Sequence, residues 1–184
     1  MVLEQTYYAV HINHITESWG GVNYNKILVK DYMNADLVST VSTAATTASF
    51  LYPELIKNSY YLDGRASGHF TLHNAHASET STVSAYTVSL LKTADVPSAT
   101  VTLGSFSNTI TADNTIVAHD FLVLPIAMDI SHDDAEIGAG EKLILKIEIT
   151  ATSGGTLEIC HSNFSDDESI KITLPIVYGN QSYG

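Results

Sequence analysis

The chain of 184 residues has a single cysteine, Cys160, so it closes no internal disulfide. It is short of positive charge: 8 Lys and Arg stand against 20 Asp and Glu, for a net charge of −12. With no basic cluster to displace phosphate counterions, direct nucleic-acid binding is not expected, and neither is binding to anionic membranes. No run approaches the ~18 apolar residues that a membrane-spanning helix needs. The opening, MVLEQTYYAVHINH, lacks a basic leader, a long apolar stretch and a small-residue cleavage site, so it does not read as a signal peptide. Charged residues reach only 15%, against ~25% in ordinary domains, and Ser and Thr supply much of the polar surface instead. Apolar residues make up 45%, too many for a disordered chain and enough for a proper core.

What is present is strand patterning, clearest in the last hundred residues. Thr82 to Leu90 alternates and is rich in β-branched and aromatic residues. SATVTLGSF follows Pro97, with Val101 and Leu103 expected on one face. TIVAHDFLVLPIAM reads as a long strand that Pro125 should bend or push to an edge. KLILKIEIT carries the cleanest period of two, with Leu143, Leu145, Ile147 and Ile149 on one face. Gly154 and Gly155 suggest a hairpin into TLEICH, where Cys160 is an ordinary small hydrophobe, and Ile170, Ile172 and Leu174 face one way in the last strand. Such strands, separated by polar turns, predict an all-β, antiparallel β-sandwich of jelly-roll type over residues 67–184.

Residues 1–66 read as an N-terminal arm or adaptor folded onto that sandwich. TYYAVHIN and NKILVKDY are expected strands. Leu37, Val41, Ala44, Ala45 and Ala48 fall on one side of a 3.6-residue repeat, which predicts a helix between Asp36 and Ser49. Pro53 is placed to begin a second short helix, PELIKN. Tyr7, Tyr8, Trp19 and Tyr24 crowd this segment, either as contact residues or as part of the core.

GHFTLHNAH holds three of the eight histidines, His69, His73 and His76, within eight residues. Histidine is the commonest metal ligand, yet strand parity puts His69 and His73 on one face and His76 on the other. Phe70 and Leu72 then enter the core and the histidines look outward, so no metal is assigned. A cupin-like enzyme, which needs His and Glu facing inward, is opposed by the same parity.

The acids Asp129, Asp133, Asp134 and Glu136 do not follow the spacing of a calcium loop, nor do Asn163, Ser165, Asp167 and Ser169. They read as hydrated rims that block edge pairing. No G-x-S-x-G elbow occurs, and GAGEKL lacks the pattern of a phosphate loop; Gly138 and Gly140 there read as a turn. No catalytic, cofactor-binding or metal-binding residue is assigned.

The run from Ala135 to Ile176, AEIGAGEKLILKIEITATSGGTLEICHSNFSDDESIKITLPI, resembles the C-terminal half of small β-sandwich virion proteins of tailed bacteriophages. In those proteins an I-x-A-G-E/D turn precedes a strand, a Gly-rich hairpin follows and a last strand closes the sandwich. The resemblance implies a non-enzymatic head decoration, or cement, protein without a cofactor. It would be made in the host cytoplasm and sit on the capsid surface of the virion. Its partners would be the major capsid protein and copies of itself in a homo-oligomer, with no nucleic acid and no membrane. The alternative is a carbohydrate- or receptor-binding β-sandwich module, since jelly rolls commonly present aromatic side chains to sugars.

Overall fold

The computed structural model describes residues 2–11, 16–31, 39–41, 46–96, 100–109, 115–131, 135–151, 154, 156–160 and 170–178. The strands are β1 (Val2–His11), β2 (Glu17–Trp19), β3 (Val22–Tyr24), β4 (Lys26–Val29), β5 (Ser39–Val41), β6 (Thr46–Leu51), β7 (Tyr60–Leu62) and β8 (Gly64–Asn74). They continue with β9 (Ser81–Thr93), β10 (Thr100–Thr109), β11 (Thr115–Ile116), β12 (Phe121–Ile130), β13 (Glu136–Ile137), β14 (Lys142–Ala151), β15 (Leu157–Ile159) and β16 (Ile170–Val177). No helix occurs among the described residues. The protein is all-β.

Among the described residues fourteen strands join one sheet, whose main path is β10-β9-β14-β6-β4-β1-β16-β8-β15-β5; β2 and β3 form a separate hairpin. Pairing is antiparallel except between β4 and β6, which meet in parallel at Ile27 and Leu51. The alternation in β14 lays Leu143, Leu145, Ile147 and Ile149 into the core, each at most 2% exposed. The same rule in β16 buries Ile170, Ile172 and Leu174. Strands from residues 1–66 are built into this sheet: β1 runs beside β16 from Val2↔Val177 to Ala9↔Ile170.

The sheet curls so that its β9–β10 end lies over β8 and β12. Phe70 of β8 meets Tyr86 of β9 edge-to-face at 5.1 Å, and the Tyr86 hydroxyl donates to the Pro125 carbonyl of β12 at 2.7 Å. Gly104 of β10 sits against Ile130 and Met128, where an added Cβ would lie 3.1 and 3.4 Å from their side chains. Pro125 lacks an amide donor, and among the described residues β12 pairs only with β8, an edge position that tolerates it.

Four local expectations are corrected. Thr46–Leu51, the end of the expected helix, is strand β6, because pairing with β14 buries Ala48 opposite Ile147 and Phe50 opposite Leu145. Val41 likewise pairs with Leu157 in a strand, whereas Leu37, Ala44 and Ala45 lie outside the described residues. PELIKN is irregular rather than helical. Six residues are too few to hold a helix alone, and its backbone is drawn elsewhere: Ile56 N donates to Glu141 O, and Gly140 N to Ile56 O.

TLEICH does not return as a hairpin on β14. Both edges of β14 are taken, by β9 and β6, so β15 pairs instead with β8 and β5. Val101 and Leu103 also part company, since a register shift between Thr102 and Gly104 leaves Leu103 buried and Val101 half exposed.

Candidate functional site

β8 settles where the three histidines go. Phe70 and Leu72 are fully buried, as parity requires. His69 and His73 share the opposite face but are half-buried rather than open to solvent, and Thr71 between them is buried. His73 stacks on Phe121 at 4.5 Å, and its Nδ1 lies 3.3 Å from Glu158 Oε2 on the neighbouring β15. His76 turns away from both: its Nδ1 accepts from the amides of Ser78 at 3.2 Å and Glu79 at 2.9 Å, closing the turn after β8. Among the described residues no group of three or more His, Cys, Asp or Glu is placed to hold a metal ion. Asp129 and Glu136 are exposed, and Asp133, Asp134 and residues 163–169 lie outside the described residues.

The organiser of this end is Asn74, which sits at the inward parity of Phe70 and Leu72 and is fully buried. Its Nδ2 donates to Glu79 O at 2.8 Å and Ile116 O at 2.9 Å. Its Oδ1 accepts from His76 N at 3.1 Å and, at greater length, Thr156 N at 3.4 Å. One amide thus ties together the turn after β8, the β11 strand and the approach to β15.

Of the N-terminal aromatic residues, Tyr7 belongs to the core, 2% exposed. Trp19 holds the β2–β3 hairpin in place: its Nε1 donates to Thr93 O at 3.2 Å, and Lys142 Nζ stands over its ring, 4.4 Å from the centre. Tyr8 and Tyr24 are half-buried.

A concavity lies elsewhere, where β1, β16 and β7 meet the irregular segment 53–58. Its volume is about 250 Å³, and its lining includes Tyr7, Tyr52, Tyr60 and Tyr178, four of the ten tyrosines in the chain. Tyr7 and Tyr52 pack edge-to-face at 5.2 Å, and Tyr60 and Tyr178 tilt together at 6.2 Å. Tyr52 donates its hydroxyl to Glu54 Oε2 at 2.7 Å, while Lys30 Nζ lies 5.4 Å from the centre of the Tyr52 ring. The Tyr60 hydroxyl is buried beside that of Tyr7, its hydrogen-bonding neighbour. A second hollow of about 360 Å³ adjoins the first across Lys30, Tyr52 and Glu54.

Burial holds the Tyr7 hydroxyl protonated up to about 12; the nearby Tyr178 and Glu54 reinforce this, while a hydrogen bond with Tyr60 opposes it. Tyr52 and Tyr60 are also pushed well above the ordinary tyrosine value, Tyr52 by burial and then by Glu54, Tyr60 by burial and then by Tyr7. The folded state therefore keeps protons that the unfolded chain loses. These groups leave stability unchanged below the ordinary value of 10.0 and erode it as pH climbs through about 12. Tyrosinate absorbance during an alkaline titration should rise in two stages, the later one together with unfolding. A single stage near 10.0 in the still-folded protein would contradict the buried cluster.

No protein-family model and no curated protein sequence matches the chain. Solved structures do resemble it. A CocE/NonD family hydrolase from Staphylococcus aureus matches with a TM-score of 0.55 at 10% identity, over 96% of this chain and 37% of that one. An aminopeptidase from a marine sediment Thaumarchaeota archaeon matches with a TM-score of 0.52 at 8% identity, over 96% and 33% respectively. An α-amino acid ester hydrolase matches with a TM-score of 0.50 at 8% identity, over 71% and 25%. The chain thus spans little more than a third of these enzymes at most, and at such identities the likeness is one of fold alone.

Proposed function

We propose that the curled sheet is a jelly-roll-like β-sandwich and that the protein is a non-enzymatic virion component. In this reading it is a decoration, or cement, protein that binds the outer capsid surface and its own copies and so stabilises the lattice. The observation that carries the reading is the outer edge of β10. β10 ends the main sheet path, and among the described residues no strand pairs with its outer side. Proteins usually guard such an edge with charge or proline, yet Thr100–Thr109 contains neither. The bulge between Thr102 and Gly104 twists the start of the strand, but Ser105 to Thr109 runs in regular register. An unguarded edge suits addition of a strand from a neighbouring subunit. Nearby, Val22, Val96 and Val101 are each at least half exposed, around the place where the hairpin is fixed by the bond from Gly20 N to Asp95 Oδ1.

Particles stripped of the protein should rupture at a lower temperature, and adding it back should restore the original value. Ser105→Lys, which places a charge on the exposed edge, should fold normally and fail to restore it. Equal rupture temperatures with and without the protein would overturn the proposal.

A further inference from the structure

We propose that the outer edge of β10 pairs with the same edge of a second copy, strand against antiparallel strand, about a two-fold axis at Ser107. The proposal names the partner of that edge and rests on the reading of it given above. Charge is the first reason to choose a second copy over a foreign strand. Chains with a net charge of −12 repel one another, so two copies meet best where charge is absent. Thr100–Thr109 carries none. Ala85, Thr87 and Ser89, which lie beside Thr109, Ser107 and Ser105 on β9, carry none either. One strand further in, Lys146 and Glu148 neutralise each other at 2.9 Å. A foreign strand would find no charge here to select it.

The register follows from the strand itself. Beyond the bulge at Thr102 and Gly104, the pairing runs regularly from Ser105 to Thr109. Residues paired across antiparallel strands share a face, so a two-fold between identical strands sets one residue opposite itself. The axis that uses the whole regular stretch falls on Ser107, with Ser105 opposite Thr109 and Phe106 opposite Asn108. No like charges meet in this register, and Phe106, only partly buried against the core, gains cover. The other long edge fits less well. Among the described residues β12 pairs only with β8, but it carries Pro125 and the exposed Asp129, which obstruct strand addition. β10 against β10 also closes as a pair, whereas β10 against β12 would run on as an open chain.

Ser107 carries the test. Its side chain is exposed and bonds to Thr87 Oγ1 at 2.9 Å across the surface, so Ser107→Lys and Ser107→Glu should both fold as the parent does. On the axis the two side chains stand about 4.5–5.5 Å apart at Cβ. Sedimentation of the free full chain should show a dimer for the parent. Each charged variant alone should associate at least about tenfold more weakly, because like charges face each other. An equimolar mixture of the two should recover the dimer, as a mixed pair in native mass spectrometry. A parent that stays monomeric at its highest soluble concentration overturns the proposal. So do charged variants that dimerise as tightly as the parent, or a mixture that fails to pair. No particle enters these measurements, so their failure is distinct from failure of the rupture-temperature test of the virion role.

Discussion

Gly68→Ala is expected to prevent stable folding. Gly68 lies in β8 between two partner strands, opposite Ile172 of β16 on one side and Ile126 of β12 on the other. A Cβ at this position would overlap the Lys171 carbonyl oxygen and come within 2.9 Å of the Ile172 Cα. Both obstacles are backbone, so no side chain can swing away to make room. β8 and β16 would have to separate, taking with them the pairings of His69 with Lys171 and Ser67 with Thr173. The cost exceeds about 4 kcal/mol, a large part of the ~5–15 kcal/mol that holds a domain together. Gly140→Ala provides the contrast. Gly140 has a positive φ of 86° but open space around it, so it should lose only about 1–2 kcal/mol. Urea unfolding of both variants measures this, and a Gly68→Ala protein within 1 kcal/mol of the parent would refute the close strand approach.

Asn74→Ala should cost about 3–4 kcal/mol. It removes the shared partner of the Glu79 and Ile116 carbonyls and of the His76 and Thr156 amides, grouped around a fully buried side chain, and losses within a shared network add up. Asn74→Asp should not rescue it. A carboxylate still accepts from the two amides, but it cannot donate to the carbonyls and repels them. Hydrogen exchange adds a local readout: the His76 and Thr156 amides should exchange faster in both variants. A loss under 1 kcal/mol for Asn74→Ala would mean that water replaces the side chain without penalty.

These two positions mark what the sequence does and does not disclose. Strict alternation made β14 and β16 legible, because each buries one face and a slip of one residue would turn that face outward. Pro125 was equally readable, since its missing donor restricts it to an edge. The helix expected before Ser49 failed because Ala and Thr are compatible with either period, and the partner that decides for a strand, β14, lies about a hundred residues away. The hairpin expected at Gly154 failed for a similar reason: the turn is local, but the availability of an edge on β14 is not.

The histidines of GHFTLHNAH drew attention by composition, yet the more consequential residue of that stretch was Asn74. Its signal was present as a polar side chain at the inward parity of Phe70 and Leu72. The tyrosine cavity left no comparable trace. Tyr7, Tyr52, Tyr60 and Tyr178 are scattered through the chain and converge only because β1 pairs with β16, β7 joins β16, and segment 53–58 folds over them.

The most direct test of the virion reading is quantitative mass spectrometry of purified particles from the source that encodes this chain. A decoration protein is predicted to be present at a copy number comparable to that of the major capsid protein and to remain through density-gradient purification. Its absence from the particles, or a trace amount that washes away, would contradict the account.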